Sequence, residues 1–139
     1  MKQITYCGAL FFLALLSPED IRKRQVSARK VILFGLSAIG CRMLSGDGET
    51  VCEMIGCLIP GLLLLAAAIV SRENIGMGDG MAVMALGLWL GGWQTFLVLC
   101  IALMLAGLFA AVCLVKKKKE PIPFIPFLLL GMEVLLFYA

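Results

Sequence analysis

Two aspartates stand apart from the other ionisable residues of this chain by their surroundings. Asp20 follows Pro18 and Glu19 and precedes Arg22, Lys23 and Arg24 at the end of an apolar run; Asp79 lies inside Gly76-Met77-Gly78-Asp79-Gly80 at the start of another. Carboxylates that approach within a few ångströms do not readily both ionise, so a pair holds one proton and offers an acid beside a base. Such a pair can hydrolyse a peptide bond: the ionised member takes a proton from water, and the protonated member hydrogen-bonds the scissile carbonyl. The titration belongs to the pair, so neither residue receives a fixed role. The same residues also admit a structural reading, with Asp20 capping a helix or pairing with Arg22 or Arg24, and Asp79 N-capping the helix that follows it. Gly76, Gly78 and Gly80 permit backbone conformations closed to other residues and leave room for a peptide or a second helix to come close.

Other chemistry is largely excluded. The chain contains no His, which removes Ser/His and Cys/His nucleophile pairs and every His-containing zinc site. Its six cysteines (Cys7, Cys41, Cys52, Cys57, Cys100, Cys113) form no C-x-x-C pair and lie in apolar stretches, where they read as small buried hydrophobes. No metal and no organic cofactor is expected. Asp47 and Glu49 fall in a polar loop and Glu120 follows four lysines, so these three read as solvated. Glu53 and Glu133 lie in or near apolar runs, where they can snorkel or bond to neighbouring helices.

The elements that must position the two aspartates follow from composition. Of 139 residues, 62% are hydrophobic and 15% charged, an apolar excess too large for the core of a small soluble domain. The chain therefore reads as an all-α polytopic membrane protein, 1–139 forming a single membrane-embedded domain. A spanning helix needs ~20 residues, which leaves room for about six spans joined by short loops. Apolar runs predict them at residues 3–18, 31–44, 51–70, 80–93, 95–115 and 123–139. The second and fourth are short and must borrow flanking residues or sit in a thinned bilayer. Leu15 and Leu16 ahead of Ser17 make a poor cleavage site, so the first run is kept as a span rather than a signal peptide.

Orientation follows from Lys and Arg, which resist translocation. Arg22, Lys23, Arg24, Arg29 and Lys30 follow the first run, Arg72 the third, and Lys116 to Lys119 the fifth. Six spans with both termini outside place all three basic loops in the cytoplasm, and Asp20 and Asp79 at one depth on that side. The lysine run reads as an orientation anchor that touches anionic lipid, with no nucleic-acid partner. Gly87 and Gly91, four apart, are expected on one helix face as a close-packing pair.

Three stretches resemble the type IV prepilin peptidases, six-span aspartic proteases of bacterial and archaeal membranes. Asp20-Ile21-Arg22-Lys23-Arg24-Gln25-Val26 resembles that family's basic, Asp-centred first motif, and Gly76-Met77-Gly78-Asp79 its G-x-G-D. Pro123-Phe124-Ile125-Pro126-Phe127-Leu128 with Gly131 looks like its C-terminal P-F-x-P-F-L segment. The resemblance implies an endopeptidase of the prokaryotic cytoplasmic or inner membrane with Asp20 and Asp79 as the catalytic pair, Gly76 and Gly78 shaping the turn that presents the second. It implies as partner a prepilin or pseudopilin, whose basic leader is cut at the cytoplasmic face ahead of a hydrophobic helix. Neither C-x-x-C pairs nor the cytoplasmic insertion of the larger, methylating members is present. The chain departs from the pattern at Met81, where the family usually has Lys, and at Val26-Ser27-Ala28, where it usually has Ile-Pro-Asn. These departures keep open a catalytically degenerate pilin-binding protein. An ion-coupled carrier is the remaining alternative, although a carrier would place its carboxylate near the bilayer midplane. A basic leader approaching Arg22, Lys23, Arg24 and Arg29 also requires a local negative pocket, for which Glu19, Asp20, Glu73 and Asp79 are the candidates.

Overall fold

The computed structural model describes residues 2–23, 26–46, 51–70, 76–118 and 122–138. Six helices occupy them: α1 (Lys2–Lys23), α2 (Ala28–Ser45), α3 (Val51–Val70), α4 (Met77–Leu90), α5 (Gly92–Val115) and α6 (Ile125–Tyr138). No strand occurs among the described residues. Arg24, Gln25, Asp47, Glu49, Arg72, Glu73, Lys119 and Glu120, to which the sequence assigned roles, lie outside them.

Helix boundaries track the apolar runs and depart from them for local reasons. The third run coincides with α3, whereas α1 continues through Pro18 to Lys23 and so carries Asp20 inside the helix. A proline in a helix removes one amide donor, a loss that neighbouring helices can offset in an apolar medium. Helix α2 begins before its apolar run because the Ser27 carbonyl accepts the Lys30 and Val31 amides. At the other end of α4 the chain breaks at Gly91, whose φ of 95° L side chains rarely adopt. Gly91 thus lies beyond the helix and does not form the expected packing face with Gly87.

That face pairs Gly87 with Gly80 instead. A Cβ at Gly80 would lie 3.1 Å from the Leu65 backbone, and one at Gly87 would overlap the Cys57 carbonyl oxygen. Gly61 answers from α3, where a Cβ would lie 2.6 Å from the Met84 amide nitrogen. Residue numbers rise along α4 as they fall along α3, so the two helices are antiparallel and almost in backbone contact.

Helix α4 is the hub, packing on α1, α2, α3 and α5, while α6 closes against α1 and α5. Its buried side chains Ala82, Val83, Ala85, Leu86 and Leu90 meet Leu13 and Leu16 of α1, Val98 of α5 and Leu128 and Met132 of α6 in one core. Helix α2 joins through a narrow stripe, Val31, Gly35 and Ala38, and through a ring stack of Phe12, Phe34 and Trp89. The Trp89 indole N–H donates to the Phe34 carbonyl at 3.1 Å, and its ring lies over Gly8, where a Cβ would come within 2.7 Å.

Large apolar side chains also cover the outside, among them Phe11, Leu33, Leu63, Leu108 and Phe137. That surface would be costly in water and suits hydrocarbon. Three helices, α1, α3 and α5, are long and apolar enough to cross a membrane, whereas α4 and α6 are shorter apolar helices of 14 residues, about 21 Å each. The cysteines correct the expectation of burial: of the six, all free thiols, Cys57 alone is buried, and Cys7, Cys41, Cys52 and Cys100 are exposed. Small apolar residues need no core when the surroundings are lipid.

Candidate active site

Three buried polar or charged residues occur among those described: Asp20, Asp79 and Thr95. Two are the carboxylates singled out by the sequence, 5% and 9% exposed respectively, and both lie at one end of the bundle. The ends of the bundle can be told apart by contacts. Gly92, at the start of α5, would bring a Cβ within 2.8 Å of the Gly56 carbonyl oxygen, so the α4–α5 turn and the start of α3 share one end. The last turn of α1 and the first turns of α2, α4 and α6 meet at the other.

Asp20 is held by α6. Its Oδ2 accepts the Ile125 backbone N–H at 3.1 Å across a separation of 105 residues, and the Phe124 N–H is turned to the same carboxylate. The start of α6 explains why. Phe124 serves as N-cap, its carbonyl accepting the Phe127 and Leu128 amides, but a Phe side chain cannot cap the free donors of the first turn. Asp20 supplies the missing acceptor from another helix, with its negative charge at the positive end of the α6 dipole. The structural alternative weighed for Asp20 is therefore met in part: it caps a helix, though a distant one, and it forms no ion pair with the exposed Arg22.

Asp79 occupies the third position of α4. Gly76 is the N-cap, and its carbonyl accepts the Asp79 N–H at 3.0 Å, so Asp79 lies within the first turn and is not itself the cap. The carboxylate folds back over Gly76, where a Cβ would stand 3.2 Å from Oδ2. On the opposite side a Cβ at Gly78 would stand 3.0 Å from the Val26 Cβ. Gly76 has φ −64° and ψ 130°, an extended geometry open to any residue. At Gly76, Gly78 and Gly80, then, the demand is for space and not for unusual dihedrals, which corrects one of the two reasons anticipated for them.

Asp79 lies near enough to Asp20 to feel its charge. Beside them Lys30 of α2 donates to Glu19 Oε1, while Glu19 Oε2 is buried without a partner among the described residues. The Lys30–Glu19 pair cancels both charges, so Lys30 does not repel a cationic ligand and Glu19 offers no free charge to attract one. Met81 is half-buried and packed against the core. Among the described residues no group of three His, Cys, Asp or Glu is placed to hold a metal ion.

The three quoted motif stretches therefore converge: Val26 meets Gly78, the Asp20 charge reaches Asp79, and Ile125 bonds Asp20. Residues 124 and 125 had no role assigned from sequence, because what they contribute is backbone, which leaves no side-chain signature. Their only signal was the Pro-flanked start of an apolar run.

A family model, described as the type IV leader peptidase family, matches residues 7–112. The matched stretch contains both aspartates and ends before Pro123. Neither curated proteins nor solved structures gave a match.

Proposed function

The chain belongs to the type IV leader peptidase family, and from that premise we propose a membrane aspartic endopeptidase in which Asp20 and Asp79 are the catalytic pair. The observation that carries the reading is the burial of these two carboxylates at one end of the bundle. One member, ionised, removes a proton from water as it attacks the scissile carbonyl carbon. The other, protonated, hydrogen-bonds the carbonyl oxygen as it gains negative charge. Collapse of the tetrahedral adduct breaks the C–N bond, with the proton taken from water passing to the leaving amine.

The substrate proposed is a prepilin or pseudopilin, cut between its basic leader and its hydrophobic helix at the cytoplasmic face of a prokaryotic membrane. All six helices are taken as membrane-crossing, both termini outside. Arg22, Lys23, Arg29, Lys30 and Lys116 to Lys118, at the ends of α1 and α5 and the start of α2, cluster at the Asp20 end, which supports that side as cytoplasmic.

The test is cleavage of a co-expressed prepilin, read as a mobility shift with N-terminal sequencing, for the native chain, Asp20→Asn and Asp79→Asn. Processing by the native chain that both variants lose supports the pair. Processing that survives either substitution sinks it. Met81 favours one second reading, a pilin-binding relative that does not cut. Cleavage that appears only with Met81→Lys would support that reading.

A further inference from the structure

The pair is asymmetric in what surrounds each carboxylate. Asp20 accepts a hydrogen bond from the Ile125 backbone N–H and stands at the start of α6, an element with no acidic or basic residue in its first turn. Asp79 sits in the first turn of its own α4, over the Gly76 backbone, and no donor bonds its carboxylate among the described residues. A backbone amide can donate and cannot accept, so it stabilises a carboxylate that has lost its proton and does nothing comparable for the acid form.

We infer that the N-terminal turn of α6 is a positioning element that makes Asp20 the ionised, water-activating member of the pair and leaves the shared proton on Asp79. The inference rests on the aspartic-protease reading above and deepens it by assigning each role. It also gives the Pro123-to-Leu128 segment a task. Pro126, with no N–H, follows Ile125 directly, so the first turn offers its donors at Phe124 and Ile125, the two that face Asp20. Among the described residues, Arg22 of α1 is exposed and forms no ion pair with Asp20. Glu19 precedes it on α1 and holds Lys30 of α2, and Asp79 faces it from α4. Among the described residues no cation is paired with Asp20, so losing the Ile125 donor should act on it directly.

The decisive experiment compares pH profiles of kcat/KM for prepilin cleavage by the purified full chain and two variants. Ile125→Pro deletes the donor at a helix position where proline is tolerated. Ile125→Ala keeps the donor and loses a comparable amount of packing. The acidic limb, which reports ionisation of the base, should move to higher pH by about one unit in Ile125→Pro and stay in place in Ile125→Ala. An equal limb in the two variants overturns the assignment while leaving the protease reading intact; no cleavage by the native chain overturns both. Should Ile125→Pro fail to fold, replacing Ile125 by its α-hydroxy acid exchanges N–H for oxygen and keeps the side chain, and the same shift is expected.

Discussion

The two seams that hold the carboxylates work by opposite means. Between α3 and α4, which carries Asp79, position is set by contact: at Gly61 and Gly87 the backbones approach until no methyl group fits, and at Gly80 one fits only tightly. Between α1 and α6, position at Asp20 is set by a polar bond from Ile125. A steric seam resists any added atom but is indifferent to charge. A polar seam tolerates changes of shape and transmits every change in hydrogen bonding to the carboxylate. One pair of identical side chains can in this way have one member placed and the other electrically tuned.

The comparison can be broken at several points. Asp20→Asn or Asp79→Asn should lower cleavage by roughly 10²- to 10⁴-fold, equivalent to about 3–5 kcal/mol at the transition state, with insertion unchanged. If either variant unfolded instead, the carboxylate would be part of the scaffold. Gly87→Leu should come next, since its side chain collides with the Cys57 carbonyl; a loss of about 1–3 kcal/mol or more is expected in a denaturant titration in detergent. Trp89→Phe keeps the ring stack and deletes the bond to the Phe34 carbonyl, for a loss of about 1 kcal/mol. Gly107→Ala is the control for glycine itself. Nothing lies within 4 Å of its Cβ position, so stability should hold or rise by roughly 0.5–1 kcal/mol. A cost at Gly107 equal to that at Gly87 would mean that the α3–α4 seam is not steric in origin.

Much of the architecture was legible. The third apolar run matched α3 residue for residue, because nothing but hydropathy decides its ends. Helix α1 ran past its predicted end, since Pro18 in an apolar bundle is not the stop signal it would be in water. The pairing of Gly87 with Gly91 failed because spacing alone does not reveal that Gly91 has left the helix. At the site, both aspartates were singled out from residue type and setting, and both are buried; the bonds that Phe124 and Ile125 offer were not legible, because any residue but proline carries the same amide.

Composition and order along the chain determined the helical class, the suitability for lipid and the two carboxylates that remain when His is absent. Those properties are one-dimensional: apolar runs and residue types need no partner to be recognised. Only the tertiary structure decided which donor meets Asp20, which backbone meets each glycine, and that Lys30 is neutralised by Glu19. Each of these depends on the register at which two helices pack, and register is set by the fit of whole surfaces that no local stretch of sequence contains.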